Sequence, residues 1–306
     1  MKKFIGICFL FLLFGCANIA FGQVDPIYSL YRFNPQNITP AHIGGYEGTE
    51  ITVMNRQQWM GIEGAPKTMG LTANMKWGKQ KGLGLVGLLD EAGPMKTVHV
   101  GLDFAYHVRL NEAWSFSGGI RGGMGNMTLN FAGLQLPQSG DGSFASDRST
   151  GMQVNTGWGV KVYKGDGLFL SVSQPRMFRY DFGEGGGAYR DSPSFYVMSG
   201  TKWRMSEKVT LYPSFLMRLA TDIPVSYDLN LVANLNGKLD AGLGYRGNES
   251  VGVRLGIQMS RAIYLGYVYE LPTSQISMMT SQSHELALRM KFNKKLKTGD
   301  SPRFFN

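Results

Sequence analysis

Long runs of alternating apolar and polar residues constrain this fold more than any other feature of the sequence. In the stretch 97–109 every second side chain is apolar, from Val98 to Val108, and the intervening ones are mostly polar or small. The same alternation recurs at 225–235 and 285–292. Successive side chains of a β-strand point to opposite faces, so each of these strands has one apolar face. The sequence therefore predicts an all-β protein.

The length of these runs favours a membrane-spanning barrel over a soluble sandwich, whose apolar faces also alternate but turn inward. Many runs have about ten residues or more, as a tilted strand needs to cross a bilayer, whereas ordinary strands have about five or six. The predicted strands are 49–59, 67–77, 81–90, 96–109, 113–126, 150–163, 167–174, 194–204, 207–219, 224–235, 238–246, 250–258, 262–271 and 283–292. The prediction is an antiparallel transmembrane β-barrel of about 14 strands, an even number as in bacterial outer-membrane barrels.

Every second connection along the chain is short, and the intervening connections include the long ones. The short ones are polar turns, such as GKQK at 78–81 and NLNGK at 234–238. The long ones include 132–149, 175–193 and 272–282. Outer-membrane barrels have short turns on the periplasmic side and longer loops outside, and here both chain ends fall on the short-turn side. We therefore expect a barrel in the cell outer membrane.

The first 22 residues have the features of an export signal. Two lysines precede the apolar stretch 4–14, and the small-x-small cleavage site AFG ends at Gly22. A second interpretation takes LFGC as a lipoprotein box with Cys16 as the lipidated residue. Both interpretations predict an exported chain. Cys8 and Cys16 both lie in this segment, so no disulfide framework is expected.

Residues 23–48 fit neither a helix nor a central strand. Pro26, Pro35 and Pro40 each remove a backbone donor and push the preceding residue toward extended geometry. The predicted organisation is a signal peptide at 1–22, an irregular segment at 23–48, the barrel at 49–292 and a basic periplasmic tail at 293–306. The irregular segment is expected at the periplasmic mouth or in the lumen, as a plug, a docking surface or a linker around the barrel base.

Two ordered motifs stand directly after the signal. The first consists of Asp25, Pro26, Tyr31, Phe33, Asn34, Pro35, Asn37, Pro40, Ala41 and Gly44. The second consists of Gln58, Trp59, Gly61, Gly64, Ala65, Pro66, Lys67 and Thr68. With the glycine-rich remainder and the ending SHELALRMKF, the chain resembles the PorP/SprF family, outer-membrane proteins associated with the type IX secretion system of Bacteroidetes. Thr39 and His42 depart from the usual pattern of that family.

The resemblance implies a non-enzymatic component of type IX secretion. Such a protein is required for export or surface attachment of a large sorting-domain cargo, in some members an adhesion or gliding motility protein. Its partners would be the secretion machinery and the cargo, with membrane lipid around the barrel and no cofactor. The first motif is the candidate partner-binding or plug segment. The alternative, from barrel architecture alone, is a passive or hydrophobic-solute channel.

Charged residues of both signs are predicted to face the lumen. They are Arg56, Lys76, Asp103, Arg109, Lys202, Arg204, Asp228, Arg246, Arg254, Glu270, Glu285 and Arg289. Such residues either line an aqueous pore or pair with one another across a filled interior. The mixed signs favour internal pairing.

No catalytic residue and no metal site are predicted. His99 and His107 lie about 26 Å apart at the rise of a strand, too far to share an ion. The glycine-rich stretch 183–191 lacks the ending of a phosphate loop, and the Gly-x-Ser-x-Gly elbow of a hydrolase does not occur. The formal charge of +9 is held partly by the signal and the tail. The barrel is then only mildly basic, and no nucleic-acid partner is expected.

Overall fold

The structure of the protein, a computed structural model, describes residues 26–131, 147–182, 192–221, 223–280 and 282–292. The predicted signal with its two cysteines, Asp25, the basic tail and the glycine-rich stretch 183–191 lie outside the described residues.

Sixteen β-strands lie in the described residues, and fourteen of them form one closed antiparallel barrel. The barrel strands are β1 (Thr49–Gln57), β2 (Lys67–Trp77), β3 (Lys81–Ala92), β4 (Met95–Arg109), β5 (Trp114–Leu129), β7 (Gln153–Lys164), β8 (Leu168–Gln174), β9 (Phe195–Gly200), β11 (Val209–Leu219), β12 (Ser226–Leu235), β13 (Leu239–Arg246), β14 (Ser250–Gln258), β15 (Ile263–Pro272) and β16 (Ser283–Phe292). The two-residue strands are β6 (Arg148–Ser149), which pairs with β5, and β10 (Trp203–Arg204), which pairs with β11.

The barrel closes because its first and last strands pair. β1 lies antiparallel to β16, with Thr49 opposite Phe292 and Gln57 opposite His284. Each remaining barrel strand pairs with the barrel strands that precede and follow it in the chain. β5 therefore pairs with β7, and β9 pairs with β11. Closure removes the edge strands, whose free N–H and C=O groups could not be satisfied in hydrocarbon. The predicted antiparallel barrel of about 14 strands is confirmed.

The predicted strand bounds agree with the observed ones to within three residues, with one exception. The stretch 194–204 was expected to be one strand, but it divides into β9 and β10. Its register against β11 is continuous across the gap, with Gly200 opposite Ser214 and Trp203 opposite Leu211. Pro213 lies opposite the interruption and cannot donate a ladder hydrogen bond, which accounts for the break.

The barrel has an apolar outside and a polar inside. In β4, the outward side chains of Val100 and Leu102 are 46% and 67% exposed, whereas the inward side chain of Asp103 is 2% exposed. The apolar face therefore lies where lipid covers it, and the polar groups are removed from lipid. This is the reverse of a soluble sandwich, and it agrees with the alternation seen in the sequence.

Connections differ in length between the two ends of the barrel. At one end, the short-turn end, hairpins close tightly; in one of them Asn236 and Gly237 have positive φ angles of 54° and 68°, as a type I′ turn requires. At the other, the loop end, lie the connection 58–66, the described residues 130–131 and 147–152 between β5 and β7, and residues 273–280 after β15. Within the described ranges no helix is long and apolar enough to cross a membrane.

Candidate functional site

Residues 26–48, which we call the luminal segment, run through the inside of the barrel. Pro26 lines a cavity at the loop end together with Gln58. At the short-turn end, the carbonyl oxygen of Gly48 accepts a hydrogen bond from the backbone N–H of Lys76 at 3.3 Å. The segment therefore extends along the length of the lumen before the chain enters β1. Of the two predicted positions, the mouth and the lumen, the structure shows the lumen.

The luminal segment is folded from turns set by its prolines. Side chains from Tyr28 to Phe33 are all at most 5% exposed. Two short 3-10 helices follow, Pro35–Asn37 and Pro40–His42. Proline is favoured at the first position of a helix because its missing N–H has no partner there anyway. The Thr39 hydroxyl accepts from the N–H of Ala41 at 3.3 Å and caps the second turn. A long helix is absent here, as the sequence predicted, but these single turns were not anticipated.

A buried charge network anchors the luminal segment near the loop end. The carboxylate of Glu285 accepts from the backbone N–H groups of Ser29 at 2.7 Å and Leu30 at 2.8 Å. The Arg56 guanidinium donates to Glu285 at 2.8 Å and to Glu270 at 2.6 Å. Its Nη1 also donates to the Ser29 hydroxyl at 2.8 Å, and that hydroxyl donates to Glu270. The segment thus supplies hydrogen bonds to charges that belong to β1, β15 and β16.

The same network continues onto β12, β13 and β14. Arg246 donates to the Ser29 hydroxyl at 2.8 Å and lies 3.2 Å from Asp228. Arg254 lies 3.6 Å from Asp228 and 3.9 Å from Glu270. All these side chains are at most 5% exposed. Since isolated charges are costly to bury, their mutual pairing is what makes this interior tolerable without bulk water.

A second polar junction lies halfway along the lumen. Arg121 binds Asp103 through two nitrogens at 2.6 and 2.9 Å, and its Nη2 donates to the carbonyl oxygen of Gln36 at 2.7 Å. The Gln36 side chain in turn donates to Asp103 at 3.0 Å and to the Leu85 carbonyl at 3.1 Å. Bidentate arginine–carboxylate pairs are both strong and directional, so this junction fixes the position of the first 3-10 turn.

Aromatic side chains of the luminal segment pack against other strands. The Tyr31 hydroxyl accepts from Asn230 at 2.8 Å and lies 3.2 Å from the Ser214 hydroxyl. The ring of Phe33 stacks on Tyr264 with centroids 4.8 Å apart. Stacked aromatic pairs add about 0.5–1.5 kcal/mol beyond the area they bury. The segment is therefore held by apolar packing as well as by charge.

Glycines of the barrel wall allow close approach of the luminal backbone. A Cβ built on Gly82 would lie 2.7 Å from the Ile43 carbonyl oxygen and 2.8 Å from the Cα of Gly44. A Cβ on Gly119 would lie 2.5 Å from the carbonyl carbon of Pro40 and 2.6 Å from the nitrogen of Ala41. Side chains at these two wall positions would displace the segment. Glycine at these two positions therefore lets the luminal segment pack directly against the barrel wall.

The second motif forms a compact connection between β1 and β2 at the loop end. The N–H of Gln58 donates to the Pro66 carbonyl at 2.9 Å, and the N–H of Trp59 donates to the Ser283 hydroxyl at 3.0 Å. The Gly64 carbonyl accepts from the N–H of Gly93 at 2.8 Å. Trp59, Gly61 and Gly64 have positive φ angles of 49°, 94° and 71°, so the glycines supply conformations that other residues rarely adopt. The motif ties three neighbouring connections together.

The structure brings only part of the predicted site together. Six of its residues line the interior: Tyr31, Phe33, Asn34, Pro35, Pro40 and Ala41. Pro26 lies at the loop end, in one cavity with Gln58, Trp59 and Pro66. Gly61, Gly64 and Ala65 belong to the same loop as those motif residues. Pro26 of the first motif therefore meets the second motif at the loop end of the lumen. The rest of the luminal segment extends away from the second motif.

Four of the predicted luminal charges lie at the short-turn rim of the barrel and not in its filled interior. Lys76 pairs with Glu47, and Lys202 lies 2.5 Å from Asp166, while Arg109 and Arg204 are exposed. All four lie near strand ends at the short-turn end, where the inward face of a strand no longer faces a filled interior. The other eight predicted charges are buried and have charged partners within 4.0 Å.

Several functional side chains escaped the sequence analysis. Arg121 and Lys161 occupy inward positions of predicted strands, so the alternation itself could have found them. Ser29 and Gln36 gave no signal, because their side chains bond to residues at least 27 positions away. His107, expected as an ordinary luminal polar residue, binds the Ile43 carbonyl through Nε2 at 2.8 Å. In the described part of the chain, no group of three or more His, Cys, Asp or Glu side chains is placed to hold a metal ion.

The sequence comparison decides the family. Residues 20–290 match the family described as "Type IX secretion system membrane protein PorP/SprF". The chain belongs to this family. The matched range contains the luminal segment, the second motif and nearly all of the barrel. No curated protein matches the chain. The family match and the barrel together assign this PorP/SprF protein to the outer membrane.

Solved barrels resemble the PorP/SprF chain in fold at very low identity. The Ralstonia pickettii toluene transporter TbuX is 9% identical, with a TM-score of 0.52 over 89% of this chain and 96% of that one. A Pseudomonas aeruginosa FadL homologue is 9% identical, with a TM-score of 0.49 over 89% and 96%. Acinetobacter baumannii Omp33 is 8% identical, with a TM-score of 0.46 over 81% and 100%. The likeness to TbuX supports the outer-membrane barrel fold alone.

We predict that Arg56→Met destabilises the barrel by about 3–5 kcal/mol, because the substitution leaves Glu270 and Glu285 buried without their main partner. The matched control is Lys96→Met, which breaks a pair with Glu91 at 2.8 Å whose side chains are 46% and 45% exposed. Exposed pairs contribute about 0–1 kcal/mol. Equilibrium unfolding in urea measures both, and equal destabilisation would contradict the anchoring role of the network.

We also predict that Gly119→Ala loosens the luminal segment, whereas Gly122→Ala on the same strand does not. A methyl group at Gly119 collides with the backbone of Pro40, but nothing lies within 4 Å of a Cβ at Gly122. Overpacking costs about 1–3 kcal/mol. The readout is maleimide labelling of a cysteine introduced at Ala41, which is fully buried. Labelling should accelerate in the Gly119 variant only; equal rates in the two variants would show that the segment is not seated on this glycine.

Proposed function

We propose that this PorP/SprF protein is a closed, non-enzymatic barrel that supports export or surface attachment of a large sorting-domain cargo, such as an adhesion or gliding protein. The family match makes it a type IX secretion component. The observation that carries the proposal is the luminal segment, which is hydrogen-bonded or packed against β1, β4, β12, β15 and β16. A barrel filled in this way serves better as a rigid membrane support than as a pore.

The filled lumen favours the plug interpretation of residues 26–41 over direct docking by their side chains. Tyr31, Phe33 and Ala41 are at most 4% exposed and are accessible to a partner only if the segment leaves the barrel. Pro26 differs, because it faces the cavity at the loop end beside Gln58 and Trp59. Partner contact in our proposal therefore occurs at the two ends of the barrel, with the short-turn end in the periplasm.

Exposed methionines at the loop end are the surface best suited to hold a protein cargo. Met278 and Met279 follow β15 and are 83% and 69% exposed, and Met152, just before β7, is 61% exposed. Methionine is unbranched and polarizable, and such residues are common at surfaces that bind proteins. A hydrogen bond from the backbone N–H of Met60 to the carbonyl oxygen of Gln282, at 2.9 Å, connects the β15–β16 connection to the second motif. The motif then acts by shaping the outer rim.

A clean deletion in the source bacterium tests the proposal. Surface display of at least one large sorting-domain cargo should be lost, because its outer-membrane partner is absent, while entry of a small hydrophilic dye stays unchanged. Immunolabelling of intact cells and dye uptake measure the two effects, and expression of the intact gene should restore display. Normal surface display of every sorting-domain cargo in the deletion strain would contradict the proposal.

The alternative function, a passive or hydrophobic-solute channel, makes a different prediction. If the luminal segment fills the barrel as described, the purified protein should give no discrete conductance steps in planar bilayers. Removing the anchor with Arg56→Met should produce steps, because the segment then leaves the lumen part of the time. Discrete steps from the intact protein, at the frequency of a general porin, would instead support the channel.

A further inference from the structure

A second cavity lies inside the barrel at the short-turn end. It has a volume of about 50 Å³ and is lined by the luminal segment around Phe33–Gln36, by Tyr46 just before β1, and by side chains from β7 and β16. Four of its lining side chains are basic: Arg32, Lys161, Arg289 and Lys291. This concentration of one charge sign inside a barrel requires an explanation.

Lys161 is the strongest indication of a missing counter-charge. It lies on the inward face of β7, is 4% exposed, and has its ammonium 4.4 Å from the centroid of the Tyr163 ring. Among the residues that the structure describes, none accepts a hydrogen bond from this ammonium, and no carboxylate lies within 4.0 Å of it. A buried ammonium without an anionic partner is unfavourable by several kcal/mol.

In the described ranges, two arginines beside the same cavity each have two nitrogens without a hydrogen-bond partner, whereas Arg56, Arg246 and Arg254 of the loop-end network each have one, Nε. Arg289 donates to the Phe33 carbonyl at 3.2 Å and lies 3.9 Å from Glu50, but its Nε and Nη2 have no hydrogen-bond partner in the described ranges. Arg32 lies 3.5 Å from Asp240, and its Nε and Nη1 likewise lack one there. Guanidinium groups normally use their several donors on carboxylate or phosphate oxygens.

The charges around this cavity do not balance. In the part of the chain that the structure describes, the four basic side chains face two carboxylates, Glu50 in the cavity wall and Asp240 next to Arg32. His42 also lines the cavity and adds no negative charge. We infer that this cavity binds an anionic group, a carboxylate or a phosphate, with Lys161 as its principal ligand and Arg289 as a second donor. The inference does not depend on the proposed secretion role.

The size of the cavity limits the ligand. A cavity needs a volume of about 10–15 Å³ to hold one water molecule. A cavity of about 50 Å³ therefore admits the few heavy atoms of a carboxylate or phosphate group. A sugar ring or a nucleotide does not fit. Gly45 and Tyr46 line the cavity at the short-turn end, so the anion enters from there, either free in solution or as the acidic end of a larger molecule.

Exposed basic residues surround that entrance. They lie at or next to the tight turns of this end: Lys79, Lys81, Arg109, Lys164, Arg204, Lys208, Lys238 and Arg261. The same end also carries the acidic residues Glu47, Glu112, Asp166 and Glu207, so it is basic in net charge only. A net positive surface raises the local concentration of anions and speeds their association. These basic residues guide an anion toward the entrance.

The test is calorimetric titration of the full-length protein in detergent with inorganic phosphate and, separately, with acetate, at constant ionic strength set by sodium chloride. We expect one saturable site for at least one of the two. Phosphate binding alone would identify a phosphate-bearing ligand, and comparable acetate binding would identify a carboxylate. Lys161→Met should weaken binding at least about tenfold, equal to about 1.4 kcal/mol, and Arg289→Met should weaken it as well.

Lys238→Met, on an exposed turn, is the matched control and should bind like the unaltered protein. Folding of each variant is checked by the heat-dependent shift of the barrel in gel electrophoresis. In chloride alone, Lys161→Met should melt no lower than the unaltered protein, because it removes an uncompensated buried charge. Absence of saturable binding for both anions, or unchanged affinity in Lys161→Met, would overturn the proposal.

Discussion

The whole structure depends on one constraint, that polar groups at membrane depth must find their partners inside the protein. For the backbone this constraint is met by pairing β1 with β16, which closes the barrel. Closure creates a second problem, because the inward faces of the strands carry buried arginines and carboxylates. Arg56, Glu270 and Glu285 satisfy each other only with the hydroxyl and the N–H groups of Ser29 and Leu30 added. The luminal segment is therefore part of the barrel's polar core.

This arrangement couples the luminal segment to assembly of the wall. The segment precedes β1 in the chain but bonds to Asp103 through Gln36 and to Glu285 through Ser29, in strands from opposite halves of the barrel. Contacts of such long sequence separation form slowly, because the entropy of loop closure must be overcome first. At Gly82 and Gly119 the barrel wall lies so close to the luminal backbone that side chains of the segment could not pass between them. The simplest order of events is that the segment is in place before β1 and β16 meet.

The sequence predicts the barrel well because period-two alternation is a local property. It gives the strands, the lipid-facing side and most of the luminal charges from neighbouring residues alone. The split of 194–204 was missed although Pro213 is visible, because its effect falls on the partner strand and depends on register. The roles of Ser29 and Gln36 could not be predicted, since their partners lie far away in the chain. The position of Lys76 and Lys202 at the rim was not predicted, because alternation does not tell where along a strand the filled interior ends.

Charge balance distinguishes the two ends of the lumen and gives them different tasks. Near the loop end, Arg56, Arg246 and Arg254 meet an equal number of carboxylates, Asp228, Glu270 and Glu285, so this end is balanced in charge and serves to anchor the segment. Near the short-turn end, cations exceed carboxylates around a cavity that opens toward the turns. A protein can hold such an excess when an external anion completes it. The loop-end network therefore anchors the luminal segment, and the proposed anion would supply the missing negative charge at the short-turn end.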